Sequence, residues 1–408
     1  MRIRATRIVI PLVLLGLALL LSSSLLMRLF FLSAILELIG FFWAFLGTRK
    51  VRVVFSNLPV YSRVGESLTE SVTISNDGRL PGLLLKFEEN SDMPGCGNMR
   101  QLNLKPKSSV SWQTTVNCSR RGWYHLGSAT ITAGDPLDIF SRKRVFGKPH
   151  SLLVYPETVE LPYFEVSTSG ILGDVSSGLL TGQTGTNAAG VREYLNGDSL
   201  MHIHWPSTAR NGKLMVKMFD GGRASSTSEA VYVLVDMEKG VYQSTGDESS
   251  EEYAVKAAAS LVKKYIEEGL HVGLILSSDP IVSFAPDRGD EYYYRLMEAL
   301  ALAHSSGTIP IHRVINEYLK TISGDATVVI VTPATTPVLV ESVRQLRARE
   351  ILVSVVSVDS ASFSGNESSS NITRHLRWLG IQVYVVRKGE NLGTSLDRRT
   401  MPFTLHYI

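Results

Sequence analysis

The densest group of side chains able to do chemistry runs from Asn187 to Asp220, NAAGVREYLNGDSLMHIHWPSTARNGKLMVKMFD. Met201-His202-Ile203-His204-Trp205 reads as extended, and on a strand alternate residues share a face, so His202 and His204 point the same way. Two imidazoles so placed can share a zinc ion if a third ligand joins them, and Asp198 or Asp220 could serve. The other reading makes the histidines surface or hydrogen-bonding residues on a half-buried strand, and it is the one favoured here. Around them stand Arg192, Tyr194, Trp205 and Arg210, with Asn196-Gly197-Asp198 supplying a tight turn. Arg192 or Arg210 is expected to pair with Asp198, and Trp205 to pack the motif between neighbouring domains. The glycines Gly182, Gly185 and Gly190 fit neither a phosphate loop, which needs a following Gly-Lys-Ser/Thr, nor a dinucleotide turn.

A second chemical candidate is Asp236, which ends the apolar run Val231-Tyr232-Val233-Leu234-Val235. Open α/β sheets bind ligands at the carboxyl ends of their strands, where an aspartate offers a hard oxygen ligand to Mg²⁺. The sequence continues Asp236-x-Glu238-x-Gly240.

These residues must be carried by three kinds of element. From Ile8 to Leu46 the chain is almost continuously apolar, interrupted by Ser22-Ser23-Ser24, Arg28 and Glu37. One helix of that length would be nearly twice the ~30 Å of a bilayer core, so two passes turning between Ser22 and Arg28 are expected. Arginines 2, 4 and 7 before the run and Arg49, Lys50 and Arg52 after it place both ends, and the body, in the cytoplasm. A cleavable signal peptide followed by a stop-transfer span is the rival, and it leaves the body on the same side. Glu37 is expected at a helix contact or a rim position.

From Val51 to about Tyr163 the period is two. Leu68, Val72 and Ile74, then Leu83, Leu85 and Phe87, then Val110, Trp112, Thr114 and Val116 alternate between turn residues. That spacing predicts an antiparallel sandwich-like domain over residues 51–163. Arg120-Arg121-Gly122-Trp123 is expected to be a turn with a solvated arginine pair and a packed Trp. Residues 164–227 form a Gly/Ser/Thr-rich linker, expected to be mobile, and then the motif above. From 228 to the end strands and helices alternate: a helix from Ser250 closing at Gly269, helices near Glu291–His304, Ile311–Leu319, Pro337–Arg349 and Ile372–Leu379, and strands Thr327–Thr332, Ile351–Val358 and Gln382–Val386. Alternation predicts a doubly wound parallel sheet, and Ser277-Ser278-Asp279-Pro280 predicts a hairpin early in it.

The charge balance, 41 basic against 38 acidic residues, gives no basic excess for nucleic acid. Cys96 and Cys118 are the only cysteines, too few for a disulfide framework.

Arg192-x-Tyr194-x-x-Gly197-Asp198, Ile203-His204-Trp205, Ala209-Arg210 and Leu214-x-Val216-Lys217 together resemble the signature of the domain of unknown function 58 family. Arg121-Gly122-x-Tyr124-x-Leu126-Gly127 and Asp135-Pro136-Leu137-x-Ile139-Phe140 resemble the motif of its β domain. The resemblance implies two membrane helices, a β domain and a C-terminal von Willebrand factor A-like domain. It also implies a partner, a MoxR-type AAA+ ATPase acting in assembly or maturation of complexes. His202 stands where the family usually has an arginine, and paired histidines are not a family feature. Metal-binding members of the von Willebrand type use Asp-x-Ser-x-Ser, a threonine and a later aspartate, of which Asp236 alone clearly survives. The expectation is a membrane-held interaction protein without a cofactor or a catalytic residue. The alternatives are a metal-dependent hydrolase using His202 and His204, and a Mg²⁺-dependent adhesion-type module using Asp236.

Overall fold

A computed structural model describes residues 2–3, 5–47, 49–79, 81–135, 139–166, 188–193, 205–219, 230–245, 248–318, 320–322, 326–334, 336–364 and 370–400. The chain forms two compact units, residues 1–158 with 294–303, and residues 159–293 with 304–408.

The first unit opens with helix α1, Ala5–Leu20, and helix α2, Ser24–Gly47. The break falls at the serines, where Ser22 takes a left-handed φ of 45°. Two spans of bilayer length were expected, but among the described residues only α2 is long and apolar enough to cross a membrane. The reason is the position of the break: α1 keeps 16 residues, about 24 Å at the helical rise, against ~30 Å of hydrocarbon.

The last turns of α2 are seated on the β domain. An added Cβ at Gly40 would lie 3.1 Å from Asp135 Oδ2, Phe41 meets Phe140 edge-on, and the Arg142 guanidinium lies over the Phe45 ring. Arg142 also donates to the Phe45 carbonyl at 3.0 Å, one of the carbonyls a helix end leaves without an intrahelical donor. The fully buried Asp135 fixes the seat by accepting the Phe140 N–H at 2.6 Å. Asp135→Ala should therefore cost about 2 kcal/mol, the worth of a buried hydrogen bond to a charged group. Thermal unfolding of the full chain in detergent measures it.

Two sheets follow. One holds β1 (Val51–Ser56), β2 (Ser67–Asn76) and β5 (Ser108–Asn117), with β2 central. The other orders β7 (Phe140–Tyr155), β6 (Gly122–Gly134), β3 (Gly82–Glu89) and β4 (Met99–Leu104), and Arg2–Ile3 and Tyr61–Arg63 add to β7. Alternation sends Val72, Ile74, Leu85, Phe87, Leu104 and Ile131 into one apolar cluster. Each such side chain contributes about 2 kcal/mol by leaving water. Gly127 and Gly147 face each other where β6 and β7 slip register, both with positive φ. A Cβ on Gly147 would stand 2.3 Å from the Gly127 carbonyl oxygen, so only glycine fits this crossing.

The arginine turn differs from expectation at Arg121 and Trp123, while Arg120 is exposed as expected. Arg121 is buried, donating to the Leu300 carbonyl at 3.1 Å and the Ala303 carbonyl at 2.6 Å, residues that group with this unit. Trp123 is 46% exposed. Regular alternation would put residues 121 and 123 on one face; the φ of 138° at Gly122 between them breaks that phase where the strand begins.

The second unit is built on a six-stranded sheet. Its order is β12 (Val282–Asp287), β11 (His271–Leu276), β10 (Ala230–Val235), β13 (Thr327–Thr332), β14 (Leu352–Val358), β15 (Gln382–Val386). β12 is antiparallel to β11 and the other neighbours are parallel. Every residue of β13 is buried, as a central parallel strand covered on both faces requires. Helix α4, Ser250–Glu267, is capped by the Ser249 hydroxyl, which accepts the Glu251 N–H, and it carries Glu251 and Glu252 in its first turn. Its small face, Ala254, Ala257, Ala258 and Leu261, is buried. Helices α6 (Ile311–Tyr318), α7 (Pro337–Ala348) and α8 (Ser370–Trp378) complete the alternation, while helix α5 (Asp290–Leu302) belongs from Tyr294 onward to the first unit. The segment before the sheet is bound to it: Phe164 stacks on Tyr384 at 4.5 Å, and the Tyr384 hydroxyl donates to the Glu165 carbonyl at 2.7 Å.

Candidate functional site at the carboxyl edge of the sheet

Register decides what meets at this edge. Val235 of β10 lies level with Leu276 of β11 and with Val331 of β13. The next residue on each strand is therefore delivered to one place, and these are Asp236, Ser277 and Thr332. Each closes an apolar run at the carboxyl end of its strand, and each is buried there.

Asp236 is fully buried, and protein donors occupy both of its carboxylate oxygens. Thr332 Oγ1 donates to Oδ2 at 2.7 Å; the Glu238 N–H and Ser277 Oγ lie 3.1 and 3.4 Å from Oδ1. The hydroxyls are held in turn, since Ser277 Oγ accepts the Met237 N–H at 2.7 Å and Thr332 Oγ1 accepts the Ala334 N–H at 2.8 Å. The Tyr242 hydroxyl donates to the Asp236 carbonyl. Burial pushes the Asp236 carboxyl above its ordinary range, opposed by the donors from Thr332, Glu238 and Ser277 and by the nearby His312. Glu238 is raised too, by its own burial and then by the charge of Asp236.

Gly307 closes the floor. Its N–H donates to the Met237 carbonyl at 2.8 Å and its carbonyl accepts the Lys239 N–H at 2.9 Å. A Cβ there would stand 1.9 Å from the Ser277 carbonyl oxygen.

One carboxylate and two hydroxyls are the ligand types that suit Mg²⁺. An ion on Asp236 would have to displace the Thr332, Ser277 or Glu238 donor, so this arrangement does not fit a metal without rearrangement. Among the described residues no three His, Cys, Asp or Glu side chains are grouped to hold an ion.

The earlier motif is described in part. Arg192 lies on β8 (Ala188–Glu193), opposite Val216 of β9 (Met215–Phe219) in an antiparallel pair. Between them runs helix α3, Trp205–Asn211. Trp205 therefore begins a helix and does not end a strand. Pro206 accounts for the difference, since proline is preorganised for a first helical turn. Arg210 is exposed in the last turn of α3, and Thr208 Oγ1 accepts the Met215 N–H at 3.0 Å. Tyr194, Gly197, Asp198, His202, His204 and Asp220 lie outside the described residues, as do the pairings expected for them. The linker expected over Val166–Ala189 lies outside them for most of its length.

Sequence reasoning found Asp236 and read Thr332 and Ser277 as a strand end and a hairpin turn. The available signal was a hydroxyl residue closing each apolar run.

Residues 190–364 match the family described as "Protein of unknown function DUF58". The chain is 27% identical over 262 residues to "Uncharacterized protein YeaD" of Bacillus subtilis (strain 168), an alignment covering 62% of this chain and 63% of that protein. Among solved structures, the CARDB domain of a Pyrococcus furiosus protein is 16% identical, covering 26% of this chain and 94% of that chain with a TM-score of 0.20. The C-terminal domain of wzt is 9% identical, covering 26% of this chain and 75% of that chain with a TM-score of 0.22.

Proposed function

We propose that this chain is a membrane-anchored scaffold that binds other proteins and does not itself catalyse a reaction. The observation that carries the reading is the state of Asp236. The acidic group best placed for chemistry has both oxygens engaged by Thr332, Ser277 and the Glu238 N–H, so it serves as a clasp joining the ends of three strands.

The anchor is α2, together with α1 as a hairpin. The turns of α2 before Gly40 are about as long as α1, because the β domain covers the remainder, and the short spans imply local thinning of the bilayer. Arginines at both ends put the body in the cytoplasm. The antiparallel strand β12 beside five parallel strands supports a von Willebrand factor A-like module as the binding domain. The partner in this reading is a MoxR-type AAA+ ATPase, and the process is assembly or maturation of a complex.

A pull-down from native membranes with the hairpin intact, repeated with nucleotide and with EDTA, tests the proposal. Recovery of an AAA+ ATPase in a nucleotide-dependent, EDTA-insensitive manner is the expected result. Turnover of a substrate that requires His202 and His204, with stoichiometric zinc lost on His202→Ala and His204→Ala, would replace it with the hydrolase.

One observation favours a second reading. Asp236, Ser277 and Thr332 converge in register at the sheet edge, and an adhesion-type Mg²⁺ site would need that convergence. In that case EDTA and Asp236→Ala abolish partner binding alike.

A further inference from the structure

The β domain carries two acidic residues where its pattern calls for apolar ones. On β2 the inward positions are Glu70, Val72, Ile74 and Asn76, and on β3 Leu85, Phe87 and Glu89 face the same interior. β2 and β3 belong to opposite sheets, so the two carboxyls approach each other across the sandwich and lie within hydrogen-bonding reach. Glu70 is 3% exposed and Glu89 6%. Neither oxygen of Glu70, nor Oε1 of Glu89, has a donor from any other group. Glu89 Oε2 alone is supplied, by Asn98 Nδ2 at 3.0 Å.

The titratable groups that bear on this interior are Cys96 in the connection from β3 to β4, Cys118 after β5, and Glu66 beyond Cys118. These are acids; the positive charge on the neighbouring strand is Arg100 of β4, whose guanidinium lies over the Trp112 ring at 5.2 Å. Two ionised carboxylates facing each other in an apolar interior repel strongly and forgo hydration. Sharing one proton removes the repulsion and leaves a single buried charge: the protonated carboxyl donates to the ionised one, and two of the three idle oxygens become partners.

We propose that Glu70 and Glu89 hold a single proton between them, and that this pair is a pH-operated latch whose deprotonation parts the two sheets at the end of the sandwich bearing the connection 90–98. That connection is tied to the latch directly, through Asn98 and through the Glu89 N–H donating to the Asn98 carbonyl at 3.2 Å. Burial, followed by the charge and hydrogen bond of Glu89, pushes Glu70 up to about 8. The titration belongs to the pair and not to either residue. Its sign follows from the raised value. The contribution to stability is complete below the ordinary glutamate range, near 4.5, and is lost as pH rises through about 8. Cys96, whose thiol is held up at about 11 by burial and then by these carboxylates, lies half-buried in the same connection.

The test uses the full chain in detergent, by infrared titration of the carboxylic acid C=O band and by thermal unfolding from pH 6 to 9. At pH 7 the wild type should show a protonated carboxyl that titrates near pH 8 and is absent from both Glu70→Gln and Glu89→Gln. In Glu70→Gln the amide is a permanent donor to Glu89, so that variant should fold and lose less of its melting temperature as pH rises than the wild type does. A band that persists undiminished in both variants overturns the proposal, as does a wild type without the band at pH 7. A fall with pH that is as steep in Glu70→Gln as in the wild type also overturns it. So does failure of both glutamine variants to fold, because a shared proton is what glutamine imitates.

Discussion

Gly307→Ala is expected to destabilise the chain by about 3 kcal/mol, the upper part of the range for forced overpacking. The atom in the way is backbone: the new Cβ would stand 1.9 Å from the Ser277 carbonyl oxygen and 2.9 Å from the Met237 carbonyl oxygen. Neither can swing aside as a side chain would. Ser277 is held by the Val235 carbonyl, which accepts its N–H at 3.0 Å, and Gly307 by two hydrogen bonds to the segment after β10. Something must yield, and the weakest joint is the contact of Ser277 with Asp236. The loss should lower the melting temperature by roughly 6–12 °C for a unit of this size. Gly389→Ala is the control, since its φ is 77° but nothing lies within 4 Å of its Cβ. It should cost about 1 kcal/mol, the strain of a left-handed residue alone. A loss at Gly307→Ala no larger than that at Gly389→Ala would show that the close approach to the Ser277 and Met237 carbonyls costs nothing beyond ordinary backbone strain.

Asp236→Ala should cost a similar amount, about 3 kcal/mol, because it strands the Thr332 hydroxyl, the Ser277 hydroxyl and the Glu238 N–H without their acceptor. Asp236→Asn should cost much less at neutral pH, since its amide oxygen still accepts from one of the donors. The two proteins should also differ in pH dependence. Burial raises the Asp236 carboxyl above its unfolded value, so its contribution is present at low pH and declines as pH rises through the folded value. Glu238, raised for the same reason and by Asp236 itself, has the same sign. The stability gap between wild type and Asp236→Asn should narrow as pH rises, read as urea midpoints across a pH series. Stabilisation of the wild type by Mg²⁺ that disappears in Asp236→Asn would favour the adhesion-type site over the clasp.

The expectations that held were those resting on local rules. The helix at Ser250 closes at Gly269 because a hydroxyl cap, acidic first-turn residues, an apolar stripe and a terminal glycine all act within a turn or two of their own positions. The strand Thr327–Thr332 has its expected bounds, since an uninterrupted β-branched run can be buried on both faces only in a central parallel strand. The antiparallel edge strand after Ser277 was legible from its turn residues.

The errors lie where one residue's phase or a distant partner decides. Arg121 and Trp123 exchanged their expected roles, because a positive φ at Gly122 resets which face each presents. Trp205 starts a helix because Pro206 is preorganised for a first helical turn. Glu70 was in phase with Leu68 and Val72 and could have been read as inward-facing. Its counterpart on the other sheet could not, because which strands oppose one another is not a local property.

Composition and periodicity by themselves determined an apolar N-terminal helix, an alternating β domain and a strand–helix domain ending β10 on an aspartate. Hydrophobic period and turn chemistry act over a few residues, so a linear reading captures them. Tertiary structure alone decided that Asp236 meets Ser277 and Thr332, residues 41 and 96 positions away. That meeting depends on the register of parallel strands joined by long crossovers, and register is chosen by packing of the whole sheet. Tertiary structure also decided that Glu70 faces Glu89, which requires two sheets to close on each other before either charge is felt.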